Sequence, residues 1–271
     1  MRLTIVIYYA DSAFNELKNN PFKNGKLYDN TWMVLKLIDD APFIQYTGTG
    51  DGNVFQFVLT KKNIDWQYSI MDCINYESEL GKNLIVAVNS ADLDEAKAIY
   101  KGHSNSDSYL RNYEHHVLVH STTPEGYKNI LKSGRLKSWN ILKNEGVINE
   151  QKPIGSFLND PEDYSNYIMF NNGGFSVELV ISSKQKGFIC MDKNAEYTAG
   201  ARLYLDAAKV AGDGLLIRDG AHLKVKDILQ LDKYLIWTAT PEVLGINAET
   251  TPFTFGKTAD ETFERLFKVA L

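Results

Sequence analysis

The chain has 271 residues, 44% hydrophobic and 23% charged, with a formal net charge of −5. That length supports one large or two medium domains with a sizeable core, and the composition excludes long disordered segments. The negative balance excludes a global attraction to nucleic acid or anionic membrane, so either partner would require a local basic patch.

The opening apolar run is too short for a signal peptide, and no segment reaches the apolar length of a membrane span; both points favour a cytoplasmic location. Cys73 and Cys190 lack metal-ligand spacing and read as buried free thiols, so no metal is expected. Residues 1–112 read as a small α/β or α+β domain of unassigned role. Residues 3–9 are an apolar strand, and Asp11-Ser12 caps a short helix to about Lys18. Pro21, Gly25 and several asparagines break the chain before the apolar run 32–38. Residues 43–46 and 54–59 make a hairpin across the turn Gly48-Thr49-Gly50-Asp51-Gly52-Asn53, where Gly and Asn supply positive φ. A glycine-rich turn can also cradle phosphate, but a strand follows this one and no Lys-Ser/Thr pair does, which weighs against that role. Trp66, Ile70, Cys73 and Ile74 recur at helical spacing and predict a helix over 65–80, stopped by Gly81. A buried strand at 84–88 and a helix from Asn89-Ser90 to Tyr100 follow; the polar run 102–112 is the candidate linker.

The second domain, 113–271, is organised around Val117-Leu118-Val119-His120-Ser121-Thr122-Thr123. An apolar strand ends on His, Ser and Thr, and Thr-Thr-Pro then opens a helix whose Tyr127, Ile130 and Leu131 share a face before Gly134. Such a strand equips a cleft for a polar ligand such as a ribose; the same residues also serve as plain helix caps. Residues 139–152 are expected to form an irregular loop or lid, and 154–158 a short strand. A helix begins at Asn159-Asp160-Pro161 and holds Tyr164, Tyr167, Ile168 and Met169. Strands follow at 175–181 and 188–191, with Glu178 on the first of them and directed at water. Then come a helix at 201–211, a strand at 215–218, the Asp219-Gly220 turn and strands at 222–225 and 233–237. The capping box Thr258-Ala259-Asp260-Glu261 starts a last amphipathic helix, which docks on the protein itself or, as the second choice, on a dimer partner. Several strands separated by few helices give the class α+β.

This order of elements resembles the ADP-ribosyltransferase superfamily, nearest to its poly(ADP-ribose) polymerase and RNA 2′-phosphotransferase members. The likeness covers about 115–240. It rests on the strand ending His-Ser-Thr, the helix with Ile-Leu-x-x-Gly-x-Leu, Gly155-Ser156-Phe157-Leu158, and Tyr164-Ser165-x-Tyr167. The resemblance implies a split-sheet domain with few helices that uses NAD as substrate, cleaves the nicotinamide–ribose bond and passes ADP-ribose to a protein or nucleic acid acceptor. It also implies that His120 bonds the ribose. The backbone of Ser121, where the family usually has glycine, would hold the nicotinamide amide, with Thr122 beside it and Phe157, Tyr164 or Tyr167 lining the pocket.

The chain departs from the family at the acid. The glutamate that orients the ribose would fall at or beside His222, and no Glu stands there. A carboxylate at this place stabilises the cation-like ribosyl transition state. Asp219, with Asp213 behind it, is the candidate substitute, although Asp-Gly pairs are ordinary turn formers. The catalytic candidates are therefore His120, His222 and Asp219. Two alternatives remain. One is a non-catalytic NAD- or ADP-ribose-binding module that lost its acid. The other is a phosphoesterase or RNA 2′-phosphotransferase, with Arg135, Arg202, Arg218 and Lys224 as phosphate-holding bases or His120 and His222 as paired acid and base, although Lys224 stands where such a tetrad needs Thr or Ser.

Overall fold

The computed structural model describes residues 6–271. The chain is α+β and divides into two compact units. One comprises the residues up to Asp107 with Leu158–Glu162 and Arg218–His222; the other comprises Ser108–Phe157, Asp163–Ile217 and Leu223–Leu271. The expected linker at 102–112 is ordered on both sides of this division. Asn105 and Asp107 are buried in the first unit, while Arg111 is buried and Leu110 packs on the core in the second.

The first unit is built on a five-stranded sheet in the order Ile7–Ala10, Asn83–Ala87, Trp32–Ile38, Phe55–Thr60, Gln45–Gly48. The first four strands are parallel and the last is antiparallel. Met33, Val34, Leu35 and Leu37 are all buried, as in a parallel strand covered on both faces. The hairpin turn takes φ 142° at Gly48 and 54° at Gly50, so the glycines serve the reversal. Helix Trp66–Glu79 buries Trp66, Ile70, Cys73 and Ile74, the spacing read from the sequence. Helix Ser90–Tyr100 is capped by Asn89, which accepts from the Asp92 amide.

The helix expected at 11–18 does not form. Carbonyls that would serve it are taken elsewhere: Phe14 O by Lys36 Nζ at 2.8 Å, Glu16 O by the Tyr28 hydroxyl at 2.7 Å and Leu17 O by the Asn53 amide at 2.9 Å. Residues 3–5 of the expected first strand lie outside the described residues.

In the second unit, strand Val117–Thr122 pairs antiparallel with Ala201–Asp206, whose other neighbour is Leu235–Ala239. On its free side Val119 exchanges both backbone hydrogen bonds with Asn171. A second sheet has the order Tyr167–Phe170, Leu223–Lys226, Leu216–Arg218, and Arg135–Lys137 pairs with Ile228–Gln230. Helix Pro124–Ser133 is as the sequence predicts, capped by Thr123 and stopped by Gly134 at φ 66°.

Elsewhere in this unit local pattern misled. Residues 175–181 are not a strand: helix Ser176–Lys186 follows Gly173-Gly174 and stops at Gly187, with buried positions 178, 179, 181, 182 and 183 in a helical stripe. Residues 201–211 are a strand to Asp206 and then helix Ala207–Gly212, because the Asp206 carboxylate caps the Lys209 amide. Ile154–Leu158 is a 3₁₀ turn, and a second 3₁₀ turn, Glu162–Asn166, replaces the expected helix, so Tyr167, Ile168 and Met169 lie on a strand. Residues 188–191 form no strand and expose Phe188 and Met191. Helix Trp139–Asn144, capped by Ser138, occupies part of the expected lid. Leu231–Tyr234 is helical before strand Leu235–Ala239. The last helix starts earlier than expected, at Pro252 behind Thr251, and runs to Phe267. No described helix is long and apolar enough to cross a membrane.

Candidate functional site

Strand alternation sets the site, because successive side chains point to opposite faces. Val117 and Val119 pack with Tyr204, Ala259 and Phe263 on one face, and Leu118 packs with Leu203, Ile168 and Phe170 on the other. Ser121 belongs to the first face and His120 to the second.

The His120 ring meets Phe170 edge-on at 6.0 Å, with Nδ1 3.2 Å from the carbonyl oxygen of Met169. Desolvation by the surrounding protein pulls its pKa down to about 4; the Met169 hydrogen bond opposes this, and the positive charge of Lys184 adds to it. Near neutral pH the imidazole is therefore uncharged. A neutral ring facing a carbonyl carries its proton on Nδ1, which leaves Nε2 as the acceptor. The residue as a whole is only partly buried, and Thr122 two positions on is also partly exposed.

This titration has a stability consequence. His120 binds its proton less readily folded than unfolded, so its contribution is complete above about pH 6.5 and is lost as the pH falls towards 4, on the order of 3 kcal/mol in all. Asp160, in the first unit, runs the other way. Burial raises its carboxyl to about 6 against the opposing charge of His222, so its contribution is present below about 3.8 and lost as the pH rises through 6. Urea midpoints of the native protein should fall relative to those of His120→Gln between pH 6.5 and 4.5; parallel pH dependence of the two proteins would refute the low imidazole pKa.

Behind the strand, Ser121 points into a buried polar network that the sequence did not announce. Its hydroxyl bonds Glu178. Glu178, expected in water, is 1% exposed; it also accepts from the Tyr197 hydroxyl at 2.7 Å and from Arg202 Nη1 at 3.1 Å. Arg202, 0% exposed, bonds both carboxylate oxygens of Asp260 at 3.0 Å and the Gly174 carbonyl at 2.9 Å, and the Tyr204 hydroxyl donates to Asp260 at 2.8 Å. Burial works against the guanidinium charge, but Tyr204, Asp260 and Glu178 more than offset it, so its pKa is raised. The Tyr197 and Tyr204 hydroxyls are held protonated, first by burial. This network joins the His120 strand to its neighbour strand, the Glu178 helix and the last helix. It is fully paired, so Arg202 is not a phosphate-holding base.

The other predicted residues are dispersed. Tyr164 and Tyr167 face the ammonium of buried Lys224, at 4.7 and 4.5 Å from their ring centres, so both rings and this lysine have a packing role. Phe157 is 62% exposed on its 3₁₀ turn. Asp219 and His222 belong to the first unit, where Asp219 accepts from the Ala221 and His222 amides and lies 3.4 Å from His222 Nδ1. That is the ordinary turn role of an Asp-Gly pair. Asp213 bonds the Tyr234 hydroxyl at 2.6 Å and pairs with Lys233. Cys73 is buried and Cys190 half-buried, both free.

Two cavities are described. One, of about 240 Å³ in the second unit, is lined by His115, Asn172, Gly174, Asp260 and Glu264 among others; the second, of about 440 Å³ in the first unit, lies along Asn15–Asn19 and Asp51. His120 lines neither of these two. Among the described residues no cluster of His, Cys, Asp and Glu has the arrangement to hold a metal. Comparison with protein-family models, curated proteins and solved structures gave no match. The class stated by the fold is α+β.

Proposed function

We propose that the second unit is an ADP-ribosyltransferase-like domain that binds NAD at His120, cleaves the nicotinamide–ribose bond and transfers ADP-ribose to a protein or nucleic acid acceptor. The observation that carries this reading is the state of His120: an uncharged imidazole, oriented through Nδ1 by the Met169 carbonyl, with Nε2 left to accept from a ribose hydroxyl. Thr122, partly exposed on the same face of the strand, offers a second polar contact.

A second reading, a binding module without chemistry, is favoured by the position of the acid. Glu178 is the carboxylate bonded to the neighbouring residue, yet it lies on the opposite face of the strand and is consumed by Ser121, Tyr197 and Arg202. It cannot reach a ribose bound by His120.

Thermal unfolding with NAD and an assay of nicotinamide release separate the two. Saturating NAD, at about 100 times its Kd, should stabilise the protein by about 2.7 kcal/mol, and His120→Ala should abolish this while the protein stays folded. Stabilisation without release selects the binding module. If millimolar NAD neither stabilises the fold nor is consumed, both fail.

A further inference from the structure

The sequence holds two Asn-Gly pairs, Asn24-Gly25 and Asn172-Gly173, and the fold treats them differently. Asparagine is a thermally labile residue, and a following glycine offers its amide nitrogen with no side chain in the way. Both asparagines are exposed. Gly25 N, however, donates to the Asn20 carbonyl at 3.0 Å, which ties up that amide. Among the described residues no acceptor holds the Gly173 amide and no partner holds the Asn172 side chain.

The second pair also bridges two anchors. On one side Asn171 exchanges backbone hydrogen bonds with Val119 at 2.7 and 3.0 Å. On the other, Gly174 N donates to Asp260 Oδ2 at 2.7 Å and its carbonyl accepts from Arg202 Nη2 at 2.9 Å. Gly173, at φ 125°, lies against the same carboxylate: a Cβ there would stand 3.5 Å from Asp260 Oδ2.

We infer that Asn172 is a site of spontaneous deamidation and that its products loosen the buried Arg202 network. The Gly173 nitrogen bonds to Asn172 Cγ and closes an imide ring, while the bond from Cγ to Nδ2 breaks. The proton of the Gly173 N–H leaves with Nδ2 as ammonia. A water then opens the ring, its hydroxyl adding to either carbonyl carbon and its proton returning to the Gly173 nitrogen. Opening at Cγ gives aspartate; opening at the backbone carbonyl gives isoaspartate, whose chain runs through Cβ and Cγ and is one carbon longer. Asn172 and Asp260 line the same cavity, so aspartate adds a like charge beside Asp260. Isoaspartate forces an extra carbon into a span held at both ends. Either product strains the contacts that Gly174 makes with Asp260 and Arg202. The inference is independent of the NAD reading.

The test is incubation of the full chain at mildly alkaline pH, folded and in urea, with peptide mapping of both pairs. In the folded chain Asn172 should convert about fivefold faster than Asn24, the factor set by the hydrogen bond that Gly25 must give up, and the two rates should converge in urea. The aged native protein should unfold at a lower urea midpoint than the fresh one. Asn172→Gln, an exposed substitution whose longer side chain closes the ring far more slowly, should keep its midpoint through the same incubation. Conversion at Asn172 that is absent in the folded chain, or no faster than at Asn24, overturns the site. Conversion with an unchanged midpoint overturns the link to the Arg202 network.

Discussion

Replacing Arg202 by methionine should cost the second unit about 3–5 kcal/mol, the largest single effect expected in this protein. The guanidinium sits at 0% exposure between Glu178 and Asp260 and satisfies both, together with the Gly174 carbonyl. Methionine fills much of the volume but leaves two carboxylates and a carbonyl without their partner in a desolvated interior. The penalty is that of stranded charge, not the net worth of an ion pair, which against an apolar isostere is often close to zero. A triple variant, Arg202→Met with Glu178→Gln and Asp260→Asn, should therefore recover part of the loss, because the stranded charges are gone. Trp237 reports on the process, since its ring lies 5.4 Å from Tyr204 within the same cluster. A urea midpoint for Arg202→Met within about 1 kcal/mol of the native protein, after conversion by the m-value, would mean that the network is not closed as described.

Gly200→Ala should come second, at about 3 kcal/mol, with loss of the NAD binding proposed at His120. The added methyl would meet Thr122 O at 2.3 Å, the Thr123 carbonyl carbon at 2.4 Å and Pro124 N at 2.6 Å. These are backbone atoms at the junction of strand and helix, and they cannot swing aside as a side chain would. Relief requires moving the strand exit or breaking the pairing of Ala201 with Thr122. Gly134 makes a useful contrast. It has φ 66° and nothing within 4 Å of the added carbon, so alanine there meets only the backbone preference, about 1 kcal/mol. If the two alanine variants unfold at the same midpoint, steric closure at the strand exit is not the cause.

The elements read correctly from the sequence share one property: their signals are local. Helix Trp66–Glu79 shows its buried stripe within four turns, and the hairpin at Gln45–Gly48 and Phe55–Thr60 is announced by the glycines between its strands. The strand with His120 and the helix capped by Thr123 are equally explicit. Helix Ser176–Lys186 shows the opposite case. Phe175, Val177 and Leu179 alternate with Ser176 and Glu178 as in a half-exposed strand before the run turns apolar at Val180 and Ile181, while the buried Glu178 that reveals the helical stripe looks like a surface residue until its partners are known. Strand Ala201–Asp206 failed for a related reason: Arg202 and Tyr204 are as buried as Leu203 and Leu205, so no amphipathic pattern exists to read.

The candidate site divides in the same way. From the sequence alone came the histidine, its place on a strand and the helix that follows, because each is specified by residues within a few positions of one another. Tertiary structure alone decided that Ser121 meets a buried Glu178, that Tyr164 and Tyr167 enclose a lysine, and that Glu178, Arg202 and Asp260 neutralise one another across 24 and 58 residues of chain. A buried charge is tolerable only where the opposite charge is brought to it, and the pairing depends on how distant segments pack, for which no local pattern carries a mark.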